Sequence, residues 1–310
     1  MIDAYAHVGL PRFMSLADYR GVMARAGIAR AVLCSFDSSP DLGALHDAVT
    51  HEPGTFRAVG VPLGRDRAEL ETAAAAQLDA GFSGLRLTEA DVADRPWLLD
   101  ALGRAGAVAL VVGAVSSPVC AAALLRNLDR YSALSVVGGH FAGAGNPALL
   151  DAGPAAALFA HPRFHVQFSR QGGWPAQFIQ RWAEAVLART GWDRVLWGTE
   201  APVLFWRNET AEGALAWLDT LKPSPAERTA ATETNAARLY FHAQPTTGPL
   251  HLPFNPVERS RPIPAVLSAN GWAIDQALAG RLVHDWLAAS GKGTLGDHVA
   301  ALLARTVKPE

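Results

Sequence analysis

Four side chains carry the residue types that acid and base chemistry needs: Tyr5, His7, His140 and Glu200. A histidine changes charge near neutral pH, so His7 and His140 can polarise a carbonyl or pass a proton to a leaving group. A carboxylate whose pKa is raised by burial can take a proton from water, the role expected of Glu200. A phenol can donate a hydrogen bond to a developing oxyanion, the role expected of Tyr5. Arg86 brings a planar fork of donors suited to a substrate carboxylate. Around them, His165, Ser169 and Arg170 offer further substrate contacts, and Trp174 and Trp206 offer faces on which a ring could stack. Together they suit general acid and base catalysis on a small carboxylate-bearing molecule. The same residues have plainer roles open to them: Tyr5 as core packing, His140 as a histidine bonded to a carbonyl, Glu200 as an ion pair with Arg86 or Arg170. Cys34 has no neighbouring histidine and reads as a buried, inert thiol.

Side chains so far apart in sequence meet only if the fold gathers them. Short apolar runs that read as buried strands begin at about Ile2, Arg30, Phe56, Ser83, Ala107, Leu134, Phe164 and Arg194, each followed by helical periodicity. Successive starts lie 24 to 30 residues apart, the length of one strand, one loop and one helix. Eight such units predict an α/β fold, a (β/α)8 TIM barrel, with the functional groups at the C-terminal strand ends. Alternation then places Asp3, Tyr5 and His7 on one face of strand one, with Ala4 and Ala6 on the other. It sends Arg86 inward from strand four and His165, Gln167 and Ser169 inward from strand seven, while Arg170 faces outward or enters the loop. His140 tops strand six and Glu200 closes strand eight. An open doubly wound sheet is the alternative, but no strand is followed by the glycine-rich turn of dinucleotide sheets, and Gly291-Lys292-Gly293 lacks the rest of a phosphate loop.

Composition narrows the partners. With 27 Lys+Arg against 29 Asp+Glu the chain has no one-signed field for nucleic acid or anionic lipid, and no apolar run is long enough to span a membrane. Two cysteines cannot form a disulfide framework, and no signal-like segment opens the chain, so a cytoplasmic protein is expected. The barrel should occupy residues 1–243, a proline-rich connector 244–265, and a helical appendix 266–310. Six prolines between Pro245 and Pro264 rule out a helix interior there. Beyond it, Ser268 to Ala289 and Leu295 to Thr306 show helical spacing, with Trp272, Ile274, Leu278, Leu282 and Trp286 as apolar anchors. So short an appendix must pack on the barrel, on its mouth, or on a second subunit in a homo-oligomer.

The motifs Ile2-Asp3-x-x-x-His7, Gly84-Leu85-Arg86-Leu87, Val136-Val137-Gly138-Gly139-His140-Phe141-Ala142-Gly143 and Leu196-Trp197-Gly198-Thr199-Glu200-Ala201-Pro202 occur in order. The set resembles the amidohydrolase-related family, in the branch that holds sugar lactonases, pyrone-dicarboxylate lactonase and the aminocarboxymuconate-semialdehyde and resorcylate decarboxylases. It covers residues 1 to about 241 and ends with Thr234-Asn235-Ala236-Ala237-Arg238-Leu239-Tyr240, similar to that branch's closing helix. The resemblance implies a barrel enzyme with its site at the mouth. Three departures bear on metal. The family's strand-one His-x-His is Tyr5-Ala6-His7 here, the strand from Ala107 to Ala114 has no ligand, and Glu200 stands where aspartate is usual. No metal is therefore expected; the alternative is one divalent cation such as zinc held by His7 and Glu200. The resemblance implies a metal-independent, lactonase-like hydrolase first, a nonoxidative decarboxylase second, and a catalytically inactive binding barrel third.

Overall fold

The computed structural model describes residues 1–260, 265–267, 271, 273–289 and 291–306. Eight parallel strands pair in sequence order: β1 (Ile2–Ala6), β2 (Arg30–Cys34), β3 (Phe56–Gly60), β4 (Gly84–Thr88), β5 (Val108–Val112), β6 (Ser135–Gly138), β7 (Phe164–Phe168) and β8 (Val195–Trp197). Each begins within one residue of the position expected from the apolar runs. Helices cover the outer faces, so strands such as β5, Val-Ala-Leu-Val-Val, are buried on both sides and read as unbroken apolar runs. The cylinder closes where the segment after β8 meets β1: Glu200 N donates to Tyr5 O at 2.8 Å and His7 N to Ala201 O at 2.7 Å. The architecture is a (β/α)8 barrel.

β1 departs from simple alternation. Asp3 pairs with Ala31 and Ala6 with Leu33, so β1 spends one residue more than β2 over the same interval, a bulge. Ile2, Ala4 and Tyr5 share the inner cluster with Val32 and Cys34. Asp3 is thereby turned away from the barrel interior. Its carboxylate accepts from Tyr19 OH (2.8 Å), on the outer helix Leu16–Ala26, and from Thr199 Oγ1 (2.6 Å), Thr199 N (2.9 Å) and Tyr5 N (3.1 Å). The expectation that Asp3 faces inward with Tyr5 and His7 is corrected: the bulge separates them, and Asp3 bolts β1 to the end of β8.

Room for the Tyr5 backbone and Cβ comes from Gly198, the residue after β8. A Cβ on Gly198 would stand 2.9 Å from Tyr5 Cβ and 3.0 Å from its backbone nitrogen. Gly198→Ala should therefore cost about 1–3 kcal/mol through overpacking, read as a lower urea midpoint at unchanged slope. An unchanged midpoint would show that β1 can yield.

The expected helix over Ser268 to Ala289 starts only at Gln276. Ala265–Leu267 and Ala273–Asp275 first pair as an antiparallel hairpin, with Ala273, Ile274 and Asp275 alternating exposed, buried, exposed at strand period. Asp275 then caps the helix Gln276–Ala288 by accepting from Ala277 N. Trp272 lies outside the described residues. This helix and the next, Leu295–Thr306, rest on the barrel loops that follow β1 and β8: Gly280 N donates to Pro11 O at 2.9 Å and Gly296 N to Asn208 Oδ1 at 3.0 Å. No described helix is long and apolar enough to cross a membrane.

Candidate active site

Tyr5, His7, His140 and Glu200 come together at the C-terminal end of the barrel. The Tyr5 ring stands edge-on to both imidazoles, 4.9 Å from His7 and 5.1 Å from His140 between centroids. His140 Nε2 lies 3.3 Å from Glu200 Oε1. Above them is a cavity of about 520 Å³ lined by Phe36, Arg86, His140, Arg170 and Trp174 among others, within the usual range for small-molecule sites. Another cavity, of about 420 Å³, opens at the N-terminal end beside Arg57 and Tyr240 and carries none of these groups.

The backbone pays to present this set. His140, Phe141 and Ala142 are consecutive left-handed residues (φ 50°, 59° and 57°), and Arg170 (66°) and Glu200 (59°) are left-handed too. Each costs roughly 1–2 kcal/mol for an L-residue, and such outliers gather where function needs them. Flanking glycines and Trp182 Nε1, which donates to Phe141 O at 2.8 Å, hold the His140 turn.

Hydrogen bonds fix the protonation pattern. His7 Nδ1 donates to Cys34 O at 2.7 Å, since a carbonyl can only accept. Its Nε2 is left as a lone pair with no partner among the described residues. Burial first, and then the charge of Arg86, hold His7 down to about 4, so it is neutral at pH 7. Burial likewise holds His140 down to about 3 despite Glu200. The Glu200 carboxylate favours the proton on His140 Nε2, leaving Nδ1 to accept from Ser169 Oγ at 3.1 Å.

Glu200 departs from its expected role. Burial would raise its pKa, but His140, Arg207, Arg170 and His7 outweigh burial and bring it to about 2. With both histidines neutral, the lasting counter-charges are Arg207 (Nη1 to Oε2, 2.7 Å) and Arg170 (Nη1 to Oε1, 3.4 Å). A carboxylate so stabilised is a poor proton acceptor, which corrects the reading of Glu200 as general base. It is a buried anion that aligns His140, Arg170 and Arg207. Of the two ion-pair partners considered from sequence, Arg170 is present; Arg86 is elsewhere.

Arg86 donates through Nε to Tyr5 OH at 2.8 Å, and its guanidinium lies 4.7 Å over the Phe36 ring. Its terminal nitrogens have no hydrogen-bond partner among the described residues and belong to a cavity-lining side chain. Tyr5 OH accepts that bond while its own proton has no acceptor among the described residues; burial, the first of several causes, raises its pKa, so it stays a phenol.

A divalent cation suits this donor set poorly. Tyr5 oxygen already faces the fixed charge of Arg86, both Glu200 oxygens are held in ion pairs, and only the His7 Nε2 lone pair is free, where a catalytic zinc asks for three ligands.

Two expected contacts fall elsewhere. His165 is the second residue of β7, and the charges that act on it are Arg238 and Arg194, the latter just ahead of β8 at the N-terminal end. It points inward as alternation required, but into the barrel floor. Trp206 is buried behind Phe13, stacked on it at 6.2 Å, and Phe13 in turn stacks on His7 at 4.8 Å; it cannot hold a substrate ring. Trp174 lines the cavity. Sequence reasoning missed Arg207 and the Phe13–Phe36 pair against His7. The available signal was their position in the loops directly after strand ends.

A model of the family described as Amidohydrolase matches residues 3–242. Among solved structures, a candidate 2-pyrone-4,6-dicarboxylic acid hydrolase from Pseudomonas putida is 26% identical over 77% of this chain and 96% of its own, with a TM-score of 0.59. A 2,6-dihydroxybenzoate decarboxylase from Rhizobium is 16% identical over 77% of this chain and 97% of its own (TM-score 0.56). An amidohydrolase from Burkholderia multivorans with bound zinc is 18% identical over 77% and 98% (TM-score 0.58). The last two share the fold alone. No curated protein matches.

Proposed function

The chain belongs to the amidohydrolase family, and on that footing we propose that it hydrolyses a small carboxylate-bearing cyclic ester or related acyl compound without a metal ion. The observation that carries this reading is the pairing of a fixed cation with a phenol, Arg86 Nε to Tyr5 OH at 2.8 Å, beside a neutral imidazole with a free lone pair. Such a set has what hydrolysis needs. The terminal nitrogens of Arg86, with Arg170 across the cavity, hold the substrate carboxylate. Tyr5, polarised by Arg86, donates its proton in a hydrogen bond to the carbonyl oxygen as negative charge builds there. His7 Nε2 takes a proton from the attacking water, and as the tetrahedral centre collapses and the ring C–O bond breaks it gives that proton to the leaving oxygen, while its Nδ1–H stays on Cys34 O throughout. His140, with both ring nitrogens committed to Ser169 and Glu200, lines the same cavity as a fixed neutral ring.

The test is a panel of carboxylated lactones, 2-pyrone-4,6-dicarboxylate among them, turned over in ¹⁸O water. One ¹⁸O in the ring-opened acid supports hydrolysis. Release of carbon dioxide, with solvent hydrogen left on carbon, would make the enzyme a decarboxylase instead.

The acid limb of the pH profile follows from His7. A base must be unprotonated, and His7 is held down to about 4, so kcat/KM should stay level from about pH 8 down to about pH 5 and fall as pH drops through about 4. An apparent pKa of about 6.5 would instead point to an unperturbed histidine.

A further inference from the structure

Phe13 and Arg207 reach the site from the loops after β1 and β8, and both loops are held from outside by the C-terminal appendix. On the β1 side the contact is backbone to backbone. Gly280 N donates to Pro11 O at 2.9 Å, and a Cβ on Gly280 would stand 2.0 Å from Phe13 O and 2.6 Å from Pro11 O. Only glycine lets the helix Gln276–Ala288 approach so closely. Four residues along that helix, His284 Nδ1 pairs with Asp18 at 2.8 Å, in the first turn of the helix that follows the loop. On the β8 side, the Trp286 ring meets Phe205 at 4.9 Å and Gly296 N donates to Asn208 Oδ1 at 3.0 Å, on either side of Arg207.

We infer that the appendix is a clamp that sets the geometry of the active site, with Gly280 as its positioning residue. Pressed by Gly280, the loop holds Phe13 flat on His7 at 4.8 Å and 17°. The second contact holds Arg207 on Glu200, and through Glu200 it holds His140. A (β/α)8 barrel can close without such an appendix; this one uses it to fix two imidazoles from behind. The inference rests on the proposed function only in calling these imidazoles functional.

The test uses the full chain labelled with ¹⁵N-histidine, and reads the ring resonances of His7 and its turnover of a carboxylated lactone. Gly280→Ala should push the loop aside, shift the His7 ring signals as the Phe13 ring current moves away, and lower kcat by about 10²-fold for a displacement of roughly 1 Å. Leu278→Ala, on the exposed side of the same helix, should leave both unchanged. His284→Ala removes only an exposed pairing, so it folds even if Gly280→Ala does not, and it should shift the same signals in the same direction by less. Folded variants at Gly280 or His284 with His7 signals at the wild-type positions would overturn the clamp. Shifted signals with unchanged turnover would uphold the clamp and remove His7 from the proposed chemistry.

Discussion

Tyr5→Phe is expected to lower kcat by about 10²- to 10³-fold, the loss typical when one donor to a developing oxyanion is removed. The Tyr5 ring packs against both His7 and His140, and its hydroxyl accepts from Arg86 and keeps its own proton uncommitted among the described residues. A bond that strengthens only as the carbonyl oxygen gains charge acts on the transition state, so KM should change little. The substitution also strands Arg86 Nε in a buried setting, at a cost of about 1–3 kcal/mol in stability. Thermal melts and single-turnover rates separate the two effects: a folded variant with wild-type kcat would take the phenol out of the mechanism.

The second large effect is on stability. Glu200→Gln keeps the shape of the side chain but removes the anion that Arg207 and Arg170 face, leaving Arg207 largely buried without that partner. Breaking a buried pair from one side costs about 3–5 kcal/mol, a large part of the 5–15 kcal/mol typical of a folded domain. Glu209 on Arg207 Nε moderates the loss without replacing the deeper charge. The sign with pH follows. Glu200 falls from the ordinary 4.5 to about 2 in the fold, so its stabilisation is complete above about pH 4.5 and is lost as pH falls toward 2. Urea midpoints at pH 7 and pH 3 should differ less for the variant than for the wild type. Equal differences would mean that the arginines find no net benefit in Glu200.

The barrel itself was legible because burial on both faces makes each strand an apolar run, and the repeat of these runs sets the architecture. The inward aim of Arg86 followed from alternation on a regular strand. Asp3 did not, because one extra residue in β1 reverses the faces and nothing in Ile-Asp-Ala-Tyr-Ala marks where it sits. His165 was placed on the right face at the wrong height, since alternation gives direction but not depth. Glu200 was found as a site residue, yet its protonation depended on Arg207 and Arg170, whose approach is decided by loop conformation and by two left-handed turns. The hairpin ahead of Gln276 hid behind the i, i+4 spacing that Ile274 shares with Leu278, Leu282 and Trp286.

Thr199 reaches back across 196 residues to Asp3, and the neighbouring bonds from Glu200 and His7 join the same two ends of the cylinder. Contacts of such long range form late, because the chain between them must be ordered before they repay the closure. During synthesis Tyr5 and His7 emerge first but stay without Glu200 until almost the whole barrel is made. Assembly of the candidate site thus coincides with completion of the cylinder, and a stalled or shortened translation product carries the imidazole of His7 without the residues that surround it in the finished barrel.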